Sequence, residues 1–175
     1  MKQIITMLND LSTQTNATPT TQETLKINRA SALVEHHSSS GELLHSETVY
    51  NLITNVGRVQ YHAQIFGTSG LLTNGLNFIG LSNDVVSETA ASTVLSNEIA
   101  ANGLARAQGT VTLPTGAGTQ TTIVKVFTAT GAQSAQKCAL FSASSAGVMN
   151  HVLGFTQRSL QISDTLTITV TITLS

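Results

Sequence analysis

The sequence predicts a mainly β chain: an antiparallel β-sandwich, jelly-roll-like, with one short helix and an N-terminal arm. Three observations lead there. The last ten residues, Thr165-Leu-Thr-Ile-Thr-Val-Thr-Ile-Thr-Leu174, alternate strictly between large aliphatics and threonine, the period of a strand with one buried and one wet face. Upstream, apolar segments recur with Gly, Pro, Asn and Ser turn signals about every ten residues, as in sandwiches. The 175 residues are long enough for one well-buried core, and the surface composition is Thr, Ser, Asn, Gln, Gly and Ala rather than charge.

The elements follow in order. Residues 1–40 read as an arm: Ile4, Ile5, Leu8 and Leu11 share one face of a short helix, Ser12 to Gln22 has little to bury, and Leu25 to Val34 alternates loosely enough for a first strand. Such a segment orders only against a partner or stays partly ordered. His36-His37-Ser-Ser-Ser-Gly41 reads as a loop, and the sandwich domain is placed at 41–175. Glu42 to Ile53 is extended. Thr54 is a helix N-cap. Val56, Val59, Gln60, Ala63 and Phe66 then recur at helical spacing, with Gly67 and Gly70 as the stop, which predicts a helix over 55–66. Gly57 inside it costs about 1 kcal/mol relative to alanine, which a close approach of helix to sheet would explain.

Leu76 to Leu81 is a short interior strand. Thr93 to Arg106 begins with a cap and is stopped at Gly103, predicting one helical turn followed by a strand over Leu104–Leu113. After a turn at Pro114–Gly118, strands are expected over 121–130 and 135–142, with a hairpin loop at Ala143–Gly147 and a return strand at Val148–Phe155. The Thr165–Leu174 strand closes the fold, and the others should register against it.

Composition excludes several functions. Charged residues are only 10% of the chain and the formal net charge is −1, so there is no basic field for nucleic acid or anionic lipid. The single Cys138 excludes an internal disulfide framework. The first residues carry too short and broken an apolar run for a signal peptide, and no stretch reads as a bilayer span. Synthesis in a cytoplasm without membrane insertion is the expectation.

The chemistry-bearing residues do not gather into a catalytic pattern. His36, His37, His45, His62 and His151 lack metal-site spacing. Cys138 sits in an apolar strand as a small hydrophobe; pairing with His151 across the hairpin would lack a third group to orient the base. Asp84, Glu88, Glu98 and Asp164 are isolated carboxylates, which gives no support to a glycosidase pair. Asp164 reads as the end of a turn. Glu98 and Arg106 bracket Gly103 and are read as a structural ion pair clamping that turn, against the alternative of two solvated charges. Glycines 67–80 and 116–118 lack a phosphate-loop setting. No catalytic residue, cofactor or metal is assigned.

Five pieces in order carry a family resemblance: Asn51-Leu-Ile-Thr-Asn-Val-Gly-Arg58, Thr93 to Arg106, Thr128-Ala-Thr-Gly131, Lys137-Cys-Ala-Leu-Phe141 with its small-residue loop, and Asp164-Thr-Leu-Thr-Ile-Thr-Val170. Over about Val49 to Leu174 the chain resembles the small β-rich virion proteins of tailed bacteriophages, departing at Ala139, where glycine is expected. The resemblance implies a non-enzymatic structural protein of the virion, made in the host bacterial cytoplasm. Capsid decoration (cement) is the first expectation, and a tail, neck or fibre-base component the second. Implied partners are further copies of the chain, for instance in a trimer, and other virion proteins such as the major capsid protein. A carbohydrate-binding adhesion module is a weaker alternative, since the chain has no Trp, two Tyr and five Phe to stack on sugars.

Overall fold

The computed structural model describes residues 27–66, 75–115 and 119–174. The expected helix at Ile4–Leu11, the Gly67/Gly70 stop and the middle of the Pro114–Gly118 turn lie outside them. Ten strands and one helix are described: β1 (Ile27–His37), β2 (Leu43–Tyr50), β3 (Leu52–Ile53), α1 (Asn55–Phe66), β4 (Phe78–Ser82), β5 (Ala107–Gln108), β6 (Thr110–Thr112), β7 (Gln120–Thr128), β8 (Gln133–Phe141), β9 (Met149–Leu160) and β10 (Thr165–Leu174). They form two five-stranded sheets, ordered β2-β1-β10-β7-β6 and β3-β9-β8-β4-β5. Every pairing is antiparallel. The fold is a β-sandwich.

β10 is the middle strand of the first sheet, flanked along its length by β1 and β7. Its alternation does what period two requires: Leu166, Ile168 and Val170 are buried, while the threonines between them are half-buried on the outer face. Ala30, Ala32 and Val34 lie opposite Ile172, Val170 and Ile168 in register. Small residues there leave room for the second sheet's Ile79, Leu81, Leu140 and Leu153 in the same core.

The sandwich takes in residues 27–37, which the sequence had placed with the arm, because β1 is held between β10 and β2. His36 and His37 are likewise strand residues and not loop. The chain changes sheets twice across a single residue, from β2 to β3 at Asn51 and from β5 to β6 at Gly109. Each crossing ties an edge of one sheet to an edge of the other, which limits open strand edges. Gly109 is needed at its corner, since a Cβ there would stand 2.7 Å from Ile123 Cγ2.

α1 has the expected bounds, and the Thr54 hydroxyl accepts the Gly57 N–H at 3.0 Å as an N-cap does. A Cβ on Gly57 would lie 2.6 Å from the Asn150 carbonyl, so the glycine is the price of seating the helix on β9. The buried face differs from the expected one: Gln60 is buried but Val59 is 68% exposed. Residues 93–103 form no helical turn. Leu95, Ile99 and Leu104 are buried at near-helical spacing because this irregular segment folds over the second sheet, with Ile99 N–H bonded to Leu81 carbonyl at 2.8 Å. Leu95 joins Phe78, Ala139, Phe141, Met149 and Val152 in a second apolar cluster. The single strand expected over 104–113 is split into β5 and β6. No helix among the described residues is long and apolar enough to cross a membrane.

Candidate functional site

Few charges are present, and several of them are buried where loops meet the second sheet. Glu98 and Arg106, eight residues apart, form a two-pronged ion pair: Arg106 Nε donates to Glu98 Oε1 at 2.6 Å and Nη2 to Oε2 at 2.5 Å. The remaining Nη1 donates to the carbonyls of Ala143 (3.2 Å) and Ala146 (2.6 Å), and the guanidinium lies 3.4 Å over the Phe141 ring. One arginine thus ties the 98–106 segment to the β8–β9 loop. The fork geometry and ring stacking are ones lysine could not reproduce. Gly80 makes room beneath, since a Cβ there would meet Glu98 Oε1 at 2.7 Å.

Lys137, in the middle of β8, has a side chain only 6% exposed. Its ammonium donates to the Val86 carbonyl at 2.6 Å and to Glu88 Oε1 at 3.2 Å, with Asp84 Oδ2 at 3.8 Å. Burial alone would raise the Glu88 carboxyl. The Ser96 N–H, the Ser92 hydroxyl and Lys137 outweigh it and hold the group below the usual range. The unit pins the 84–96 segment to the sheet face.

At the far end of β1, His36 Nε2 meets Asp164 Oδ2 at 3.1 Å, both side chains 8% exposed. Asp164 also accepts the Gln161 N–H at 2.9 Å. That bond first, then His36 and a Ser39 backbone N–H, keep its carboxyl below the ordinary value against the opposing effect of burial. The residue read as a turn end is therefore also a tie from the β9–β10 turn to β1.

His151 is fully buried on β9. The Asn51 carboxamide is oriented by the Ala30 N–H, which donates to its Oδ1 at 3.1 Å, so its NH2 donates to His151 Nδ1 at 2.8 Å. Nε2 must then carry the proton and donate to the Tyr61 hydroxyl, 2.8 Å away. Burial depresses His151 to about 4 and pushes Tyr61 up to about 12. Helix, sheet-crossing segment and β9 are joined through a neutral imidazole. Cys138 is fully buried, its thiol pushed up to about 12, and it pairs in register with Leu153 while His151 pairs with Leu140. The thiolate that nucleophilic chemistry needs is suppressed. Among the described residues no three His, Cys, Asp or Glu side chains gather as a metal site.

A groove of about 630 Å³ lies between β2–β3 and residues 84–88, with β9 as its floor. Its apolar lining comes from Val49, Tyr50, Leu52, Val85 and Phe155, and Gly154 lies on the floor. Its charged lining is engaged: Glu47 accepts from the Thr156 N–H (2.8 Å) and hydroxyl (3.1 Å), and Asp84 and Glu88 face Lys137.

Sequence reasoning brought Glu98 and Arg106 together but missed the Lys137, His36–Asp164 and His151 assemblies. A signal existed for the first of these. A lone lysine in the apolar run Gln136-Lys-Cys-Ala-Leu140, within so uncharged a chain, needs a buried counter-charge. The partners themselves lie 49 to 128 residues away.

Compared with family models, with curated proteins and with solved structures, the chain gives no significant match in any of the three.

Proposed function

We propose that the protein is a non-enzymatic structural component of a tailed-phage virion, a decoration or cement protein that acts as a homo-oligomer on the head. The observation that carries this reading is the ordered set of resembling segments. Placed on the fold, they hold residues that fix it: Asn51, Thr54 and Gly57 at the helix, Glu98 and Arg106 in the cross-braced loop, Lys137 and Phe141 beneath, and Asp164 at the last turn. A resemblance of this kind speaks for a common scaffold.

The outer face of the first sheet adds support. By register, Thr165, Thr167, Thr169 and Thr171 share it with Leu33, Val124 and Val126, with Glu35 beside Thr167. Such a nearly uncharged, β-branched plain suits a static contact repeated many times, where multivalency makes weak contacts sufficient. The buried ionisable groups are spent on bracing loops, as a load-carrying subunit requires. Deleting the gene should yield particles that lose heat and osmotic resistance, and labelled antibody should decorate the head. Particles of normal resistance would count against cementing. Label at one vertex would move the protein to the tail or neck.

A further inference from the structure

We infer that Lys137 and Asp84 become joined by an intramolecular isopeptide bond, formed with Glu88 as the proton-transfer group. The bond goes beyond the proposed function and does not depend on it. The first observation is where the charges are. In a chain with 10% charged residues, one lysine and two carboxylates meet in one place, with the side chains of Lys137, Asp84 and Glu88 only 6%, 12% and 7% exposed. A loop brace needs one counter-charge for one ammonium, and enclosing a second carboxylate adds a desolvation cost. Amide formation removes one charge of each sign and leaves a single carboxylate.

The second is that the two carboxylates are held differently. Glu88 Oε1 accepts the Ser96 N–H at 3.1 Å as well as the Lys137 ammonium at 3.2 Å, so it keeps a donor of its own once the ammonium is consumed. Against the opposing effect of burial, its donors hold it ionised, the form that takes up a proton. Asp84 Oδ1 accepts the Val86 N–H at 3.1 Å, which leaves Oδ2 standing 3.8 Å from Lys137 Nζ.

The third is the aim of Nζ. The Val86 carbonyl, at 2.6 Å, and Glu88 take two of its three donor directions. Asp84 is its remaining ionic partner, close but not hydrogen-bonded. Lys137 is fixed in mid-strand, paired in register with Ser82 of β4 and Gly154 of β9, and holding amine and carboxyl together in this way replaces a bimolecular encounter. The step balances without a co-reactant. The ammonium passes one proton to the Asp84 carboxylate by way of Glu88, and the freed lone pair attacks Asp84 Cγ. The nitrogen of the new C–N bond gives a second proton to Glu88, which returns it to the hydroxyl as the C–O bond breaks. Ammonium and carboxylate become an amide and one water, which leaves by the groove that all three residues line.

The test is intact mass spectrometry of the purified full-length chain, held folded at neutral pH and then denatured, followed by tandem sequencing of a protease digest. Most of the parent should be lighter than its sequence by one water, with a branched peptide linking Lys137 to Asp84. Asp84→Ala and Lys137→Arg should carry the full mass. Glu88→Gln, checked for a native melting transition, should convert about a hundredfold more slowly. The parent decides the matter even where a variant fails to fold, because the bond outlasts denaturation. The full mass in the parent, a lost water with an unbranched Lys137 peptide, a branch to Glu88, or conversion of folded Glu88→Gln at the parent's rate would each overturn the inference.

Discussion

The stability of this fold should fall sharply between neutral and mildly acid pH, and His151 is the reason. Burial lowers its pKa from an ordinary 6.5 to about 4. The folded chain therefore holds the neutral ring while the unfolded chain takes up a proton from pH 6.5 downward. The stabilisation is complete above about 6.5, declines as pH falls toward 4 and is spent below that. With those two values the loss on going from pH 7.5 to pH 4.5 is about 2–3 kcal/mol, steepest near pH 5 at roughly 1 kcal/mol per pH unit. In a domain of this size that corresponds to a melting temperature lower by about 5–10 °C. Urea titrations at pH 7.5, 5.5 and 4.5 on the parent and on His151→Gln, which keeps polar atoms near Asn51 and Tyr61 but does not titrate, isolate the term. Every other residue is common to the two chains. The reasoning is refuted if the two chains lose the same stability over that range.

Other consequences can be measured alongside. Lys137→Met should cost about 3 kcal/mol in chemical denaturation, since Glu88 and Asp84 are left buried without a counter-charge; adding Glu88→Gln should recover part of it, and a loss below about 1 kcal/mol would show the cluster to be slack. Gly57→Ala should destabilise although alanine is the better helix former, because the new Cβ meets the Asn150 carbonyl; a higher melting temperature would contradict the seating of α1. Thr54→Ala should lose about 1 kcal/mol with the N-cap bond, read as a shift in the urea midpoint. Cys138 should react with a thiol reagent only as fast as the chain unfolds, and rapid labelling of native protein would place it at a surface.

β10 was legible because every residue of it obeys one period, and its position as the middle strand of its sheet follows from its length and its five aliphatic side chains. α1 was legible from its cap and spacing, and Gly57 announced the close approach that Asn150 makes. The segment 93–103 misled for a physical reason: Leu95, Ile99 and Leu104 meet apolar surfaces at helical intervals, but the backbone there bonds to β4 and turns through Asn97, Asn102 and Gly103 at positive φ. His36 looked like loop because His-His-Ser-Ser-Ser-Gly is polar, whereas its imidazole is buried in a strand with its hydrogen-bond partner, Asp164, 128 residues on. Glu98 and Arg106 were within reach of sequence reasoning at a spacing of eight. Lys137, His36 and His151 depend on strand order, which local pattern does not encode.

The most direct measurement is antibody labelling of purified particles, counted per particle. The account predicts many labels spread over the head, in proportion to a repeated subunit. Particles that carry none of the protein would contradict it.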